Sequence, residues 1–175
     1  MTPWFIATEK FDKTHSGWDK YIEWSGLAQL DEVVSVDPAL CPTVLPDIKL
    51  DYWKRIVNED FMLDFFTDVD YLRRLVSNIQ RKNFLCVVRN PTAHPTVEVP
   101  KGFDFVGYDL ADIQGSTSAL TNCGGFPEVF SNSELSEKGL LSSFVRAKQV
   151  QDDLRRLNPQ EIHAHCHLWA IFRGV

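Results

Sequence analysis

The feature that most constrains this chain is the apolar run near its end, Leu168-Trp169-Ala170-Ile171-Phe172, inside a longer extended pattern from about Ile162 to Phe172. An extended segment this apolar needs neighbours along both edges, so the pattern predicts a central strand and not an exposed one. A second compact run, Phe84-Leu85-Cys86-Val87-Val88, predicts another buried strand. Trp4-Phe5-Ile6-Ala7 and the alternating Phe103–Tyr108 segment predict two more, with Val33–Val36 as a further candidate. The runs around 84–88 and 103–108 read as neighbours joined by a loop too long for a tight hairpin.

Helical periodicity fills the gaps between these runs. Trp18, Tyr21 and Ile22 share one helical face, with Ser16 placed to cap it and Gly26 to stop it. Residues 51–57 read as helical, and the spacing of Met62, Phe65, Phe66, Val69, Leu72, Val76 and Ile79 predicts a longer helix over 60–81. Thr67 or Asp68 is placed to break that helix by capping a second segment. A final helix starts near Ser131–Ser133 and ends at Asn158-Pro159, with Arg155 and Arg156 favouring its C-terminal dipole. Four to five strands interspersed irregularly with three to four helices predict an α+β fold with a mostly antiparallel sheet. Strict β-α-β alternation is absent, as are GxGxxG and GxxxxGK[ST] motifs, which argues against a doubly wound nucleotide fold. The 175 residues suit one globular domain, and 44% hydrophobic content is far above that of a disordered chain.

Charge and cysteine usage narrow the function classes. A formal net charge of −6 disfavours nucleic acid and anionic membranes as partners, and no basic cluster exceeds adjacent pairs such as Arg155-Arg156. Cys41, Cys86, Cys123 and Cys166 form no CxxC pair, so zinc-finger and dithiol readings fail and reduced thiols are the default. No signal-peptide core or run of membrane-spanning length is visible, so the expected location is cytosolic.

Three features can carry chemistry. His163, His165 and His167 alternate, and on a strand they would share one face, where two imidazoles can converge on a divalent transition metal. Cys123 lies in the loop Gly115–Pro127 before Gly124-Gly125, a candidate nucleophile if His165 or His167 meets it. Asp109 and Asp112 would lie just past the 103–108 strand that carries Asp104, and these acids are candidate acid-base or cation-binding groups, with Asn122 in the adjacent loop. Each has a plain structural reading: half-exposed sheet histidines, a surface loop, solvated or turn-capping acids. The acids Asp60, Asp64, Asp68 and Asp70 read as a solvated helix face. Tryptophan is over-represented, and Trp18 and Trp24 are candidate interface anchors that cannot both face one core groove. No motif ties the chain to a family. The leading expectation is a non-catalytic binding protein of the immunity or inhibitor kind, with a protein partner and no cofactor. The alternative is a small enzyme using Cys123 or a metal held by His163, His165 and His167. An enzyme should join the 115–127 loop and those histidines in one concave pocket, whereas a binder should satisfy the histidines separately.

Overall fold

The computed structural model describes residues 2–46, 64–94, 99–112 and 117–175. Strands β1 (Trp4–Glu9), β4 (Lys82–Arg89), β5 (Phe103–Ala111) and β6 (His167–Gly174) form an antiparallel sheet in the order β1-β4-β6-β5. A separate two-stranded sheet pairs β2 (Phe11–Asp12) with β3 (Glu32–Val33). The helices are α1 (Trp18–Ser25), α2 (Val69–Leu75) and α3 (Phe144–Leu157). The fold is therefore α+β with an antiparallel sheet, and the apolar C-terminal strand is central, as its composition requires. One adjacency differs from expectation. Strands β4 and β5 are not neighbours, because β6 inserts between them.

Alternation along the central strands sends side chains into two apolar clusters. Phe84, Cys86 and Val88 of β4 and Leu168, Ala170 and Phe172 of β6 join the cluster that holds Ala147, Val150 and Leu154 of α3. Leu85, Val87, Trp169 and Ile171 point the other way, onto Val34, Val36, Phe65 and Leu140. Trp169 is fully buried there, stacked on Phe65 with ring centroids 5.4 Å apart.

Both outer strands are covered by short extended segments, which removes exposed sheet edges. Phe5 and Phe66 exchange two backbone hydrogen bonds of 2.8 Å along β1, and Val44 N–H donates to Ala7 O at 2.9 Å. Along β5, Tyr108 and Leu141 exchange bonds of 2.8 and 3.0 Å, and Ala119 N–H donates to Leu110 O at 2.7 Å. Gly107 makes the close approach at the β5 bulge possible: its φ is +148°, and a Cβ there would lie 2.6 Å from Leu140 Cβ.

Several local expectations need correction. The 51–57 helix and the first turn of the 60–81 helix lie outside the described residues. Within the remainder, Phe66 is extended against β1, and α2 begins only after Asp68, whose carboxylate accepts Tyr71 N–H at 2.9 Å. Asp68 therefore caps, and Asp70 pairs with Arg73, so no continuous acidic helix face forms here. Of the 33–36 run only Val33 is strand, as the end of β3, because Val34 and Val36 turn to cover the sheet face. The helix expected from Ser131 is interrupted: Asn132–Glu134 forms a short 3-10 turn, and Leu135 and Leu141 bridge before α3 starts behind Ser143. Gly17, not Ser16, precedes α1, while Gly26 ends it in the left-handed region as expected.

Candidate functional site

The antiparallel pairing of β4 with β6 places the end of β4 beside the start of β6, and α3 crosses near that end. Between them lies a cleft of about 630 Å³. Asn90, Pro91 and Thr92 form one side, Phe144, Lys148, Gln151 and Arg155 of α3 another, and His165 to Leu168 the floor.

Asn90 is the organising residue. Its backbone adopts φ +48°, a left-handed conformation that asparagine tolerates better than most side chains. Its N–H donates to Leu168 O at 2.6 Å, and its Oδ1 accepts Leu168 N–H at 3.0 Å. The side-chain carbonyl thus replaces a backbone carbonyl and extends the ladder beyond β4. That contact fixes which end of the amide is Nδ2, so Nδ2 is the donor facing His167 Nδ1 at 2.8 Å. The neutral imidazole must then carry its proton on Nε2. Burial lowers the His167 pKa, as does the Arg89 guanidinium, while the Asp112 carboxylate opposes them.

Two α3 side chains tie the helix to the segment before β6. Gln151 Nε2 donates to Cys166 O at 2.7 Å, and its Oε1 accepts Lys148 Nζ at 2.7 Å. Arg155 Nε donates to Ala164 O at 3.4 Å, leaving its terminal nitrogens without a hydrogen bond to any described residue. Lys148 also lies 3.6 Å from Asp152. Lys148 and Arg155 are two helical turns apart and so share one flank. Among the described residues no carboxylate lines the cleft. This is a small cationic, donor-rich surface on a chain of net charge −6.

The three histidines do not share a strand face. Ile162–His165 is a 3-10 turn, closed by Cys166 N–H donating to His163 O at 3.3 Å, and only His167 lies on β6. His163 is buried against Phe126, with ring centroids 5.3 Å apart, and its Nε2 has no hydrogen-bond partner among the described residues. Burial lowers its pKa. His165 is exposed at the cleft. Among the described residues no three His, Cys, Asp or Glu side chains are grouped to hold a metal ion. The Asn90 contact adds chemistry to that geometry. A metal-binding imidazole normally donates its second N–H to a carboxylate or carbonyl, whereas His167 Nδ1 accepts.

Cys123 Sγ donates to Ala119 O at 2.7 Å, and burial pushes the thiol up to about 11, the opposite direction from an activated thiolate. It does not line the cleft that His165 and His167 reach. Asp109 lies inside β5, not past it, and is fully buried. Its Oδ1 accepts Ser118 Oγ at 2.7 Å and Leu110 N–H at 2.8 Å, and its Oδ2 accepts Ser35 Oγ at 2.5 Å and Val36 N–H at 3.3 Å. Burial pushes the Asp109 carboxyl up, and the two hydroxyls oppose it. Asp37, equally buried, accepts Ser118 N–H and Asn122 Nδ2, each at 2.8 Å, and Ala39 N–H at 2.8 Å. Asp109 and Asn122 thus belong to one network that pins the 33–37 and 117–122 segments to β5. Asp112 is buried at the end of β5. Asp104 is exposed on β5. Trp18 is core, packed on Phe11 and Tyr21, whereas Trp24 is 56% exposed and its ring meets that of Tyr21.

No family model matches this chain, and no curated protein or solved structure matches it. The site is therefore read from its own geometry. Asn90, Lys148, Gln151 and Arg155 were not singled out as site residues from sequence. The available signals were the Asn90-Pro91 turn and the seven-residue spacing of Lys148 and Arg155 on one helix.

Proposed function

We propose that this chain is a non-catalytic binding protein, and that the cleft between α3 and the start of β6 accepts a carboxylate presented by a protein partner. The observation that carries the reading is the convergence of Lys148, Arg155, His165 and His167 on one cleft that no acid among the described residues lines. Asp152 offsets Lys148, so about one net positive charge remains, which suits a carboxylate monoanion. The neutral His167 Nε2–H and the terminal Arg155 nitrogens are donors for its two oxygens. Val145, about one turn before Lys148 on α3, and Ile162, on the 3-10 turn, are exposed apolar side chains of the elements that flank the cleft. Apolar groups around charged anchors are the composition of a protein interface.

A short glutamate-rich peptide titrated into the full chain tests this. It should bind saturably, and Lys148→Gln with Arg155→Gln should weaken it by about ten-fold or more, since a lost charged contact of this kind is worth ~1.5–3 kcal/mol. Equal binding to the double variant, or preference for a lysine-rich peptide, would contradict the reading.

A further inference from the structure

The opposite end of the same strand pair carries a second cleft, of about 440 Å³, lined by Lys10, Arg73, Lys82 and Arg173. These four cations come from four places: the turn between β1 and β2, α2, the start of β4 and the end of β6. Among the described residues no Asp or Glu lines the cleft, and Val175, the last residue, borders it with its terminal carboxylate. Three of the cations are held in place by contacts outside it. Arg73 lies over the Phe84 ring, 5.5 Å from its centroid, and pairs with Asp70 at 3.0 Å. Lys82 Nζ donates to Ile79 O at 2.6 Å. Arg173 donates to Glu32 at 2.7 Å, while its Nε is buried and without a partner among the described residues. Gly174 lets the wall close, since a Cβ there would lie 3.0 Å from Phe84 and 3.1 Å from Phe103.

We propose that this second cleft binds a phosphate monoester dianion. The argument is one of charge and geometry. Asp70, Glu32 and the terminal carboxylate of Val175 offset three of the four cations, leaving one net positive charge and a surplus of N–H donors from four separate side chains. A phosphate monoester carries about −1.5 to −2 at neutral pH and accepts hydrogen bonds in several directions at once. Two guanidinium groups and two ammonium groups drawn from separate elements surround such a group, where a flat carboxylate would meet only one or two of them. The space exceeds what a phosphoryl group alone fills, so the ester has room for part of its body. Nucleic acid is disfavoured because the remainder of the chain is acidic.

The test is calorimetric titration of the full chain at constant ionic strength with inorganic phosphate, a nucleoside 5′-monophosphate and acetate. Phosphate and the nucleotide should bind one to one, with acetate at least about ten-fold weaker. Tighter binding of the nucleotide than of phosphate assigns the site to an ester with a body, and equal binding assigns it to free phosphate. Lys10→Gln with Arg73→Gln should weaken phosphate by about ten-fold or more at unchanged thermal midpoint. Lys148→Gln with Arg155→Gln should leave phosphate binding unchanged, so failure here is separable from failure of the carboxylate cleft. Absence of saturable phosphate binding, loss of it in the Lys148/Arg155 variant, or preference for a single-stranded oligonucleotide would overturn the proposal.

Discussion

The two clefts sit at opposite ends of one antiparallel strand pair, yet they are built differently. At the Asn90 end, both full cations come from a single helix, and the other donors are set by one asparagine that completes the β4–β6 ladder. At the Lys82 end, each cation comes from a different element, and Arg73, Lys82 and Arg173 are steadied separately. Antiparallel pairing brings a strand end and a strand start together at both ends, but what crosses there decides the chemistry. The first cleft is a local device resting on α3 and Asn90. The second exists only once β1, α2, β4 and β6 have assembled.

The largest effect should come from charge reversal on α3. Lys148→Glu with Arg155→Glu should abolish acidic-peptide binding, a loss of about 100-fold or more, while phosphate binding at the other cleft persists. Loss of both together would show that the clefts are coupled and break the comparison.

Asn90→Ala should have an intermediate effect. It removes the acceptor for Leu168 N–H and the donor to His167, at about 1 kcal/mol of stability by denaturant midpoint, and it frees the His167 tautomer. Peptide affinity should fall by several-fold, with phosphate binding unmoved. The pH dependence follows from His167. Because its folded pKa is lowered, the unfolded chain binds more protons in the window just below the ordinary histidine value. Stability should therefore rise with pH through that window. Asn90→Asp, which places a carboxylate against Nδ1, should raise the His167 pKa and reduce or reverse that slope; an unchanged histidine titration curve by NMR would count against the contact.

Phe84→Leu should have the smallest effect on binding. It removes the ring beneath Arg73, worth about 0.5–1 kcal/mol, and should weaken phosphate by two- to five-fold while leaving peptide binding intact.

Much of the sheet was legible because its central strands are apolar on both faces. Phe84–Val88 and Leu168–Phe172 admit few alternatives, and the Gly26 stop and the Asp68 cap were equally plain. The errors share a cause. His163-Ala164-His165-Cys166-His167 alternates like a strand, but an i to i+3 bond after Glu161 closes its first part into a turn, and local alternation cannot register that. Leu135–Leu141 resembles helix interior, yet its backbone is drawn off to cover β5, a tertiary demand that overrides periodicity. Asp109 resembled a loop acid because its donors, Ser35, Val36 and Ser118, come largely from distant segments. The clefts were hidden for the same reason: Asn90 meets His167, and Lys10 and Arg173 come to line one cleft, only through the strand order.

The most direct measurement is the protonation state of His167, read from its ring nitrogens by heteronuclear NMR at pH 7, with and without the acidic peptide. The account predicts a neutral ring with the proton on Nε2 in the free chain. On adding peptide, that proton and the Arg155 side-chain signals should shift to a common saturating endpoint. A proton on Nδ1, or peptide-induced shifts confined to the Lys10 and Arg73 end of the sheet, would contradict it.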